Sequence, residues 1–203
     1  MMYLCIMYAV GWVIIMMAPQ VYFQYLSLNV PAILHGQIWR LITWVVFPPS
    51  TNLIFGLIMI YVYWTIGHNL EMVWGSFEFD WFIFQGILIH IIGAFVINAI
   101  AGPQISFLDP ITSQNFNLSI MLAFMLTFPE ATFLLFYVIP IKAKYLGVFY
   151  IVMTLINFIQ GSAGMKAEII LSLINILLFL IITGKMDNII NNIKNRSYRN
   201  RFR

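Results

Sequence analysis

The distribution of charge constrains this chain more than any other property of its sequence. Only 8% of the 203 residues are charged, and no charged residue precedes Arg40, lies between Arg40 and Glu71, or lies between Asp80 and Asp109. Each of these runs exceeds the ~20 residues that carry a helix across the hydrocarbon core of a bilayer. In lipid the backbone hydrogen bonds must close within helices unless the chain forms a barrel, and the period-2 pattern of barrel strands is absent. The sequence therefore predicts an all-α integral membrane protein whose solvent is the lipid bilayer.

The apolar stretches predict six membrane-crossing helices in one domain, residues 1–184. The segment 19–51 is too polar and too rich in proline to cross, so we expect short helices lying in the membrane interface. Residues 131–144 are apolar but short, and we expect them to form a hairpin on the cytoplasmic side. The predicted crossings are 2–18, 52–70, 79–101, 115–128, 145–160 and 168–184.

Basic residues predict the orientation of the chain. Six crossings place both termini on one side, together with Lys142, Lys144 and the six basic residues of the tail, 185–203. The other side carries only Arg40 and Lys166. Because lysine and arginine concentrate in cytoplasmic loops, the sequence predicts both termini and the basic tail in the cytoplasm.

Composition also excludes several functions. The single cysteine, Cys5, cannot form an internal disulfide and supplies no metal cluster. The three histidines are expected at different depths, so we predict no metal site and no cofactor. The pI near 9.0 reflects the clustered basic tail, which is suited to anionic headgroups, and no nucleic-acid partner is predicted.

The first motif lies in the predicted interfacial segment, at Gly36-Gln37-Ile38-Trp39-Arg40-Leu41-Ile42-Thr43. The tryptophan Trp39 is suited to headgroup depth, and Arg40 can reach phosphates or loop carbonyl groups. Any membrane protein could use such a pair, so its meaning depends on the second motif.

The second motif follows the second predicted crossing, at Gly67-x-x-Leu70-Glu71-x-x-Trp74-Gly75-Ser76-x-x-Phe79. Gly67 allows close helix approach, and Glu71 is expected to clamp the fold by accepting hydrogen bonds from backbone amides. Gly75 and Ser76 predict a turn and a helix cap, within a short acidic turn from Gly67 to Asp80. We do not expect Glu71 to be catalytic.

In order and spacing, these motifs resemble those of the rhomboid superfamily of membrane proteins. The stretch from Phe128-Pro129 to Tyr145-Leu146 is also similar to the family's cytoplasmic turn after the fourth helix. The resemblance implies a six-helix, rhomboid-like bundle with an interfacial first loop.

Active rhomboids are intramembrane serine proteases, and this chain departs from their pattern. The position of the nucleophile, Thr112-Ser113-Gln114-Asn115, has neither of the flanking glycines, and no histidine follows Gly164 on the sixth helix. A serine without a base is a weak nucleophile. No two glycines are four residues apart, so the tight packing of the enzymes' sixth helix is also not expected.

These losses resemble the inactive, derlin-like pseudoproteases. The resemblance implies a protein that is not an enzyme and that binds transmembrane segments of client proteins in quality control or trafficking. Two alternatives stay open. A divergent serine protease would pair Ser113 or Ser119 with His90, and a small carrier or channel would need a continuous polar path, whereas the polar residues look scattered.

Several polar residues lie within the predicted crossings, and three of them are the candidate contact residues. His90, Asn157 and Asn175 need hydrogen-bond partners that lipid tails do not provide. We expect them either to join helices to each other or to contact a client.

Overall fold

The computed structural model describes residues 2–48, 52–102, 113, 116–135 and 139–184. These residues are mainly helical, which confirms the helical fold class predicted from the sequence. The long helices of the described part are α1 (Met2–Met17), α2 (Leu53–Trp74), α3 (Ser76–Ala101), α4 (Phe116–Thr127), α5 (Ala143–Gln160) and α6 (Ala163–Ile182).

Three described helices are long and apolar enough to cross a membrane, namely Ser76–Ile100 within α3, all of α5 and all of α6. α1 and α4 are apolar but shorter. At 1.5 Å per residue, the 12 residues of α4 span only about 18 Å. A membrane protein with several apolar helices is therefore shown, while six crossings remain a prediction.

The prediction of an acidic turn between Gly67 and Asp80 is wrong. α2 continues to Trp74, and α3 begins at Ser76, so that Gly75 alone joins the two helices. Gly75 has φ +88°, a left-handed conformation that glycine adopts without strain. Ser76 is thus the first residue of α3 and forms no capping hydrogen bond, and Phe79 lies within the helix.

α6 begins five residues earlier than the predicted start at 168. The Oγ of Ser162 accepts a hydrogen bond from the N–H of Met165 at 3.3 Å and caps the helix at Ala163. Lys166 and Glu168 therefore lie in the first two turns of α6. A charged residue close to a helix end does not stop the helix, and the capping serine marks the start better.

The core of the bundle is formed by α6 against α3 and α4. Two glycines on α3 permit this close approach, because a Cβ at Gly86 would lie 2.6 Å from Nδ2 of Asn175, and one at Gly93 would lie 2.5 Å from a methyl carbon of Leu171. The sequence did not predict tight packing of the sixth helix, since that helix lacks spaced glycines. The expectation is wrong because the glycines stand on the facing helix.

Aromatic side chains join the helices at one end of the bundle. Trp74 of α2 lies 4.6 Å from Phe179 of α6, ring centroid to centroid, and Phe82 of α3 lies 5.0 Å from the same ring. Such pairs add about 0.5–1.5 kcal/mol beyond the area they bury.

The segment 19–48 folds into short helical turns beside α1. Tyr22 is buried and donates to the carbonyl oxygen of Trp44 at 2.9 Å, which closes the segment on itself. Asn29 caps one turn by accepting from the N–H of Ala32 at 3.0 Å. The turns are Pro19–Val21, Tyr22–Leu26, Val30–Leu34, Arg40–Thr43 and Trp44–Val46.

Between α4 and α5 the chain forms a two-stranded hairpin of β1 (Thr132–Leu135) and β2 (Ile139–Lys142). The strands are antiparallel, with Thr132 opposite Lys142 and Leu134 opposite Pro140. At the hairpin base, Glu130 accepts hydrogen bonds from Nζ of Lys142 at 2.9 Å and of Lys144 at 3.3 Å. The side of the membrane on which the hairpin lies stays a prediction.

Candidate functional site: a buried polar cluster among α3, α4 and α6

α6 carries a row of polar side chains on its inward face. Glu168, Ser172 and Asn175 are spaced four and three residues apart, which places them on one face of a helix. Ser172 and Asn175 are fully buried, and Glu168 is 5% exposed. The expectation of scattered polar residues is therefore wrong for α6. That spacing within an apolar helix was the signal, and the sequence analysis missed Glu168 and Ser172.

Asn175 joins three helices. Its Nδ2 donates to Oγ of Ser119 on α4 at 3.2 Å. Gln85 on α3 donates from Nε2 to the carbonyl oxygen of Asn175 at 3.1 Å and to its Oδ1 at 3.3 Å. Polar groups bonded across helices stabilise membrane bundles by about 0.6 kcal/mol each on average. Asn175 is thus a structural contact, one of the two roles predicted for it.

His90 lies one to two turns beyond Gln85 on α3 and is fully buried. Its Nδ1 is 2.8 Å from the carbonyl oxygen of Gly86, which accepts only, so Nδ1 carries the proton. The other nitrogen, Nε2, then accepts from Oγ of Ser172 at 3.3 Å. In its neutral form the imidazole therefore has a hydrogen-bond partner at both nitrogens.

Two aromatic rings enclose His90. The indole of Trp44 stacks on it at 5.4 Å between centroids, and the ring of Phe116 meets it edge-on at 5.5 Å. His90 therefore links the segment 19–48, through Trp44, to α3, α4 and α6.

Neither serine that the sequence analysis paired with His90 is its partner. Ser113 donates from Oγ to the carbonyl oxygen of Phe47 at 2.7 Å, and Ser119 donates to that of Phe116 at 2.8 Å. The serine beside His90 is Ser172. The predicted nucleophile stretch is only partly visible, because positions 112, 114 and 115 lie outside the described residues.

Chemically, Ser172 and His90 have the hydrogen bond of a nucleophile and its general base. However, both side chains are 0% exposed, so a substrate does not reach them without helix movement. In the closed bundle the pair joins α3 to α6.

A second polar contact joins α1 to α4. The hydroxyl of Tyr8 donates to Oδ1 of Asn117 at 2.5 Å, and both residues are buried. Among the described side chains, Nδ2 of Asn117 is a buried donor with no partner, which weakens this contact.

Arg40 organises the segment 19–48 from inside it. The side chain is only 3% exposed, and it donates from Nη1 to the carbonyl oxygen of Ser27 at 2.8 Å and from Nε to Oε1 of Gln37 at 2.7 Å. A third bond runs from Nη2 to the carbonyl oxygen of Gln24. Arg40 therefore contacts loop carbonyl groups, which is one of the two roles predicted for it.

Trp39 is bonded to a neighbouring turn, yet about half of its side chain is exposed. Its Nε1 donates to the carbonyl oxygen of Tyr25 at 3.0 Å, yet the side chain is 48% exposed. The other exposed apolar side chains of the segment are Val21, Phe23, Tyr25, Leu34, Ile38 and Ile42.

The residues of the second motif lie together where α2 meets α3. Gly67 is buried within α2, and the Oγ of Ser76 donates to Oε1 of Glu71 across Gly75 at 3.1 Å. Glu71 thus joins the end of one helix to the start of the next.

Asn157 differs from the other two intramembrane candidates because it is exposed on α5. Within the described part of the chain its side chain has no hydrogen-bond partner. His90 and Asn175 are bonded to other helices, and Asn157 is the exposed one of the three.

In the ranges that the structure describes, no group of three or more His, Cys, Asp and Glu residues is arranged to hold a metal ion. The basic tail, 185–203, lies outside those ranges.

A family model for eukaryotic integral membrane proteins, DUF1751, matches residues 1–184. The chain belongs to the DUF1751 family. No curated protein and no solved structure matches it. For a DUF1751 chain, membership establishes the membrane setting, and the family description assigns no activity.

Proposed function

We propose that this DUF1751 chain is a catalytically inactive, rhomboid-like membrane protein that binds transmembrane segments of client proteins, in quality control or trafficking. The observation that carries the proposal is the exposed amide of Asn157, one turn before the end of α5. An amide in an apolar helix needs hydrogen-bond partners that lipid tails lack. A client helix with a polar side chain at the matching depth supplies them.

The surroundings of Asn157 support a docking role for α5. Only 12% of this helix is buried, against 39% of α6. Helix association in lipid depends on packing and polar contacts rather than on the hydrophobic effect, so an exposed helix that carries side-chain amides is suited to contact another helix. Its exposed large apolar side chains are Tyr145, Val148, Phe149, Ile151, Val152, Met153, Leu155, Ile156 and Ile159.

The hydrogen bonds of the serines support the inactive assignment. Ser113 and Ser119 donate to backbone carbonyl groups, and neither contacts His90. A hydroxyl without a base at hydrogen-bond distance is a poor nucleophile at neutral pH.

The proposed topology has six crossings with both termini in the cytoplasm. Alternating crossings would put the Gly75 connection, the hairpin and the tail on one side, and the interfacial segment on the other. Single cysteines at 76 and 38, in a chain with Cys5 replaced by Ala, test this with an impermeant thiol reagent in sealed vesicles. Labelling of both positions from the same side would contradict the proposed topology.

Client binding is tested with a single-pass peptide in liposomes that contain the purified chain. The peptide carries either Asn or Leu at the depth of Asn157, and association is followed by energy transfer between dyes. We expect the Asn peptide to associate more strongly, and Asn157→Leu to remove that preference. Ile159→Leu is the matched control on the same exposed helix and should not change it. Equal association of both peptides with the unmodified chain would overturn the proposal.

A second candidate function is hydrolysis by a serine other than those predicted. It is favoured by the hydrogen bond from Ser172 to Nε2 of His90, and opposed by the complete burial of both. A fluorophosphonate probe in lipid tests it, with Ser172→Ala, Ser113→Ala, Ser119→Ala and His90→Ala as variants. Labelling that disappears only in Ser172→Ala and weakens in His90→Ala would replace the inactive assignment with a hydrolase.

A further inference from the structure

One hydrogen bond at the base of the hairpin shows which residue pairs of β1 and β2 are hydrogen-bonded and which are not. The N–H of Ala143 donates to the carbonyl oxygen of Ala131 at 2.6 Å, which extends the register of β1 and β2 by one pair. Hydrogen-bonded and non-hydrogen-bonded pairs alternate along an antiparallel ladder. The pair Phe133–Ile141 is therefore hydrogen-bonded, and the pair Leu134–Pro140 is not.

This pairing pattern leaves the two outer edges of the hairpin different. Along β2 the outward backbone groups belong to Pro140, which has no N–H, and to Lys142, which is charged. Proline and lysine on an edge strand both prevent pairing with another strand. Along β1 the outward groups belong to Thr132 and Leu134, and this strand contains neither proline nor a charge.

The outer edge of β1 has no partner within the described ranges. Among the described elements, β1 packs closely only against β2. No backbone hydrogen bond from Thr132 or Leu134 leaves the hairpin in that part of the chain. A row of outward N–H and C=O groups is matched in spacing and direction by another extended backbone.

We propose that this edge pairs with β1 of a second copy of the chain, antiparallel about a two-fold axis, to form a sheet of order β2–β1–β1–β2. The strand is self-complementary in this arrangement. With Phe133 opposite its own counterpart, Thr132 lies opposite Leu134 of the other copy, so both residues bond through both outward groups. The outer edges of this sheet are then the two β2 strands, where Pro140 and Lys142 prevent further pairing. The assembly therefore stops at two copies.

The edge is ready to pair because the hairpin is fixed before association. Glu130 holds Lys142 and Lys144 at its base, and the Ala131–Ala143 bond closes it. A preformed strand loses less conformational freedom on binding than a flexible segment. The proposal does not depend on client binding or on catalysis.

Cysteine crosslinking of the full chain in lipid tests the pairing, with Cys5→Ala as the background. Phe133→Cys should give a disulfide-linked dimer on mild oxidation, because opposite residues of a non-hydrogen-bonded pair lie about 4.5 Å apart between Cα atoms, within disulfide range. Ile141→Cys is the matched control, since it lies across the same hairpin on β2, and it should not crosslink. Equal crosslinking of both variants, or of neither, overturns the proposal.

Two further changes to the edge keep the test decisive. Leu134→Pro removes the outward N–H at a non-hydrogen-bonded position, opposite a proline that the hairpin already accepts, and should abolish the Phe133→Cys dimer. Thr132→Lys charges the same edge without changing the backbone and should also abolish it, even if Leu134→Pro disturbs folding. Thermal melts of each variant verify folding. A dimer that persists in folded Thr132→Lys protein contradicts the pairing.

Discussion

α5 and α6 are neighbouring apolar helices of similar length, 18 and 20 residues, that differ in what surrounds them. α6 packs against α3 and α4 and buries its polar residues, among them Ser172 and Asn175. α5 lies at the edge of the bundle and leaves Asn157 exposed. The same residue type, asparagine, therefore joins helices in one place and is exposed on a peripheral helix in the other.

Glycines show the same contrast. Gly86 on α3 faces the amide of Asn175 and the ring of Phe116, both held by their own contacts. Gly147 on α5 faces the sulfur of Met125, the far part of a flexible side chain. The core of the bundle is thus closely fitted, and the contact of α5 with α4 can adjust.

The largest effect is expected where the core glycine gains a methyl group. Gly86→Ala would place a Cβ 2.5 Å from the ring of Phe116 and 2.6 Å from Asn175, so we expect a loss of about 1–3 kcal/mol of stability. Gly147→Ala should cost less, because Met125 can change rotamer. Reversible unfolding in lipid–detergent mixtures measures both. Equal losses would contradict the difference between a rigid core and an adjustable edge.

The next largest difference in stability is expected between replacements of the two asparagines, Asn175 and Asn157. Asn175→Leu removes the Oδ1 that accepts from Gln85 and the Nδ2 that donates to Ser119, while the bond from Gln85 to the backbone carbonyl oxygen at 175 remains. We expect a loss of about 1–3 kcal/mol of stability. Asn157→Leu breaks no side-chain hydrogen bond within the described residues, so the free energy of unfolding should change by no more than about 0.5 kcal/mol. The same unfolding measurement compares them. If Asn157→Leu destabilised the isolated chain as much, α5 would belong to the core.

A smaller effect is expected from two hydroxyl groups. Ser172→Ala removes the donor to His90 and should cost about 1 kcal/mol. Thr154→Ala on α5 removes a hydroxyl whose one hydrogen bond among the described residues is to the carbonyl oxygen of Tyr150 in its own helix, at 2.8 Å. This change should be nearly neutral. Tryptophan emission gives a second readout, because Trp44 stacks on His90. An unchanged emission and stability in Ser172→Ala would mean that this hydrogen bond does not hold the ring.

The smallest effect concerns the exposed ion pairs at the start of α5. Hydrogen bonds from Lys142 and Lys144 lower the pKa of Glu130, and the bond to Glu130 raises the pKa of Lys142. The contribution of Glu130 is therefore present above its ordinary pKa and lost as the pH falls through its lowered value. The contribution of Lys142 is present below its ordinary pKa and lost as the pH rises through its raised value.

Glu130→Gln should remove the acid-side part of this dependence. Because salt and water screen exposed pairs, we expect faster hydrogen exchange in the hairpin amides alone. Exchange in α6 should not change, and a change there would show that the hairpin supports the core.

Part of this architecture was predictable from residue type. The charge-free runs identified a helical membrane protein, and proline and polar residues separated the short turns of segment 19–48 from the long helices. The sequence also indicated that His90, Asn157 and Asn175 need partners. The helix limits predicted from it are wrong at the end of α2, near Glu71, and at the start of α6, near Glu168. In both places a charged residue indicated the helix limit, whereas α2 ends just before Gly75 and α6 starts after the capping Ser162.

The partners themselves were not predictable. Ser172 meets His90 from 82 residues away, and Asn175 meets Ser119 from 56 residues away, so no local pattern relates them. The glycines that admit α6 stand on α3, where the composition of α6 gives no sign of them. The exposure of Asn157 follows from the peripheral position of α5, which is a property of the whole bundle.

By itself, the sequence determined the solvent of this protein and its helical class, because lipid forces apolar segments to satisfy their own backbone hydrogen bonds. The tertiary structure decided which polar residues are bonded to another helix and which are exposed. Every polar group in a membrane helix needs a hydrogen-bond partner, and the sequence shows which residues have this need. Whether a partner lies within reach depends on how the helices pack.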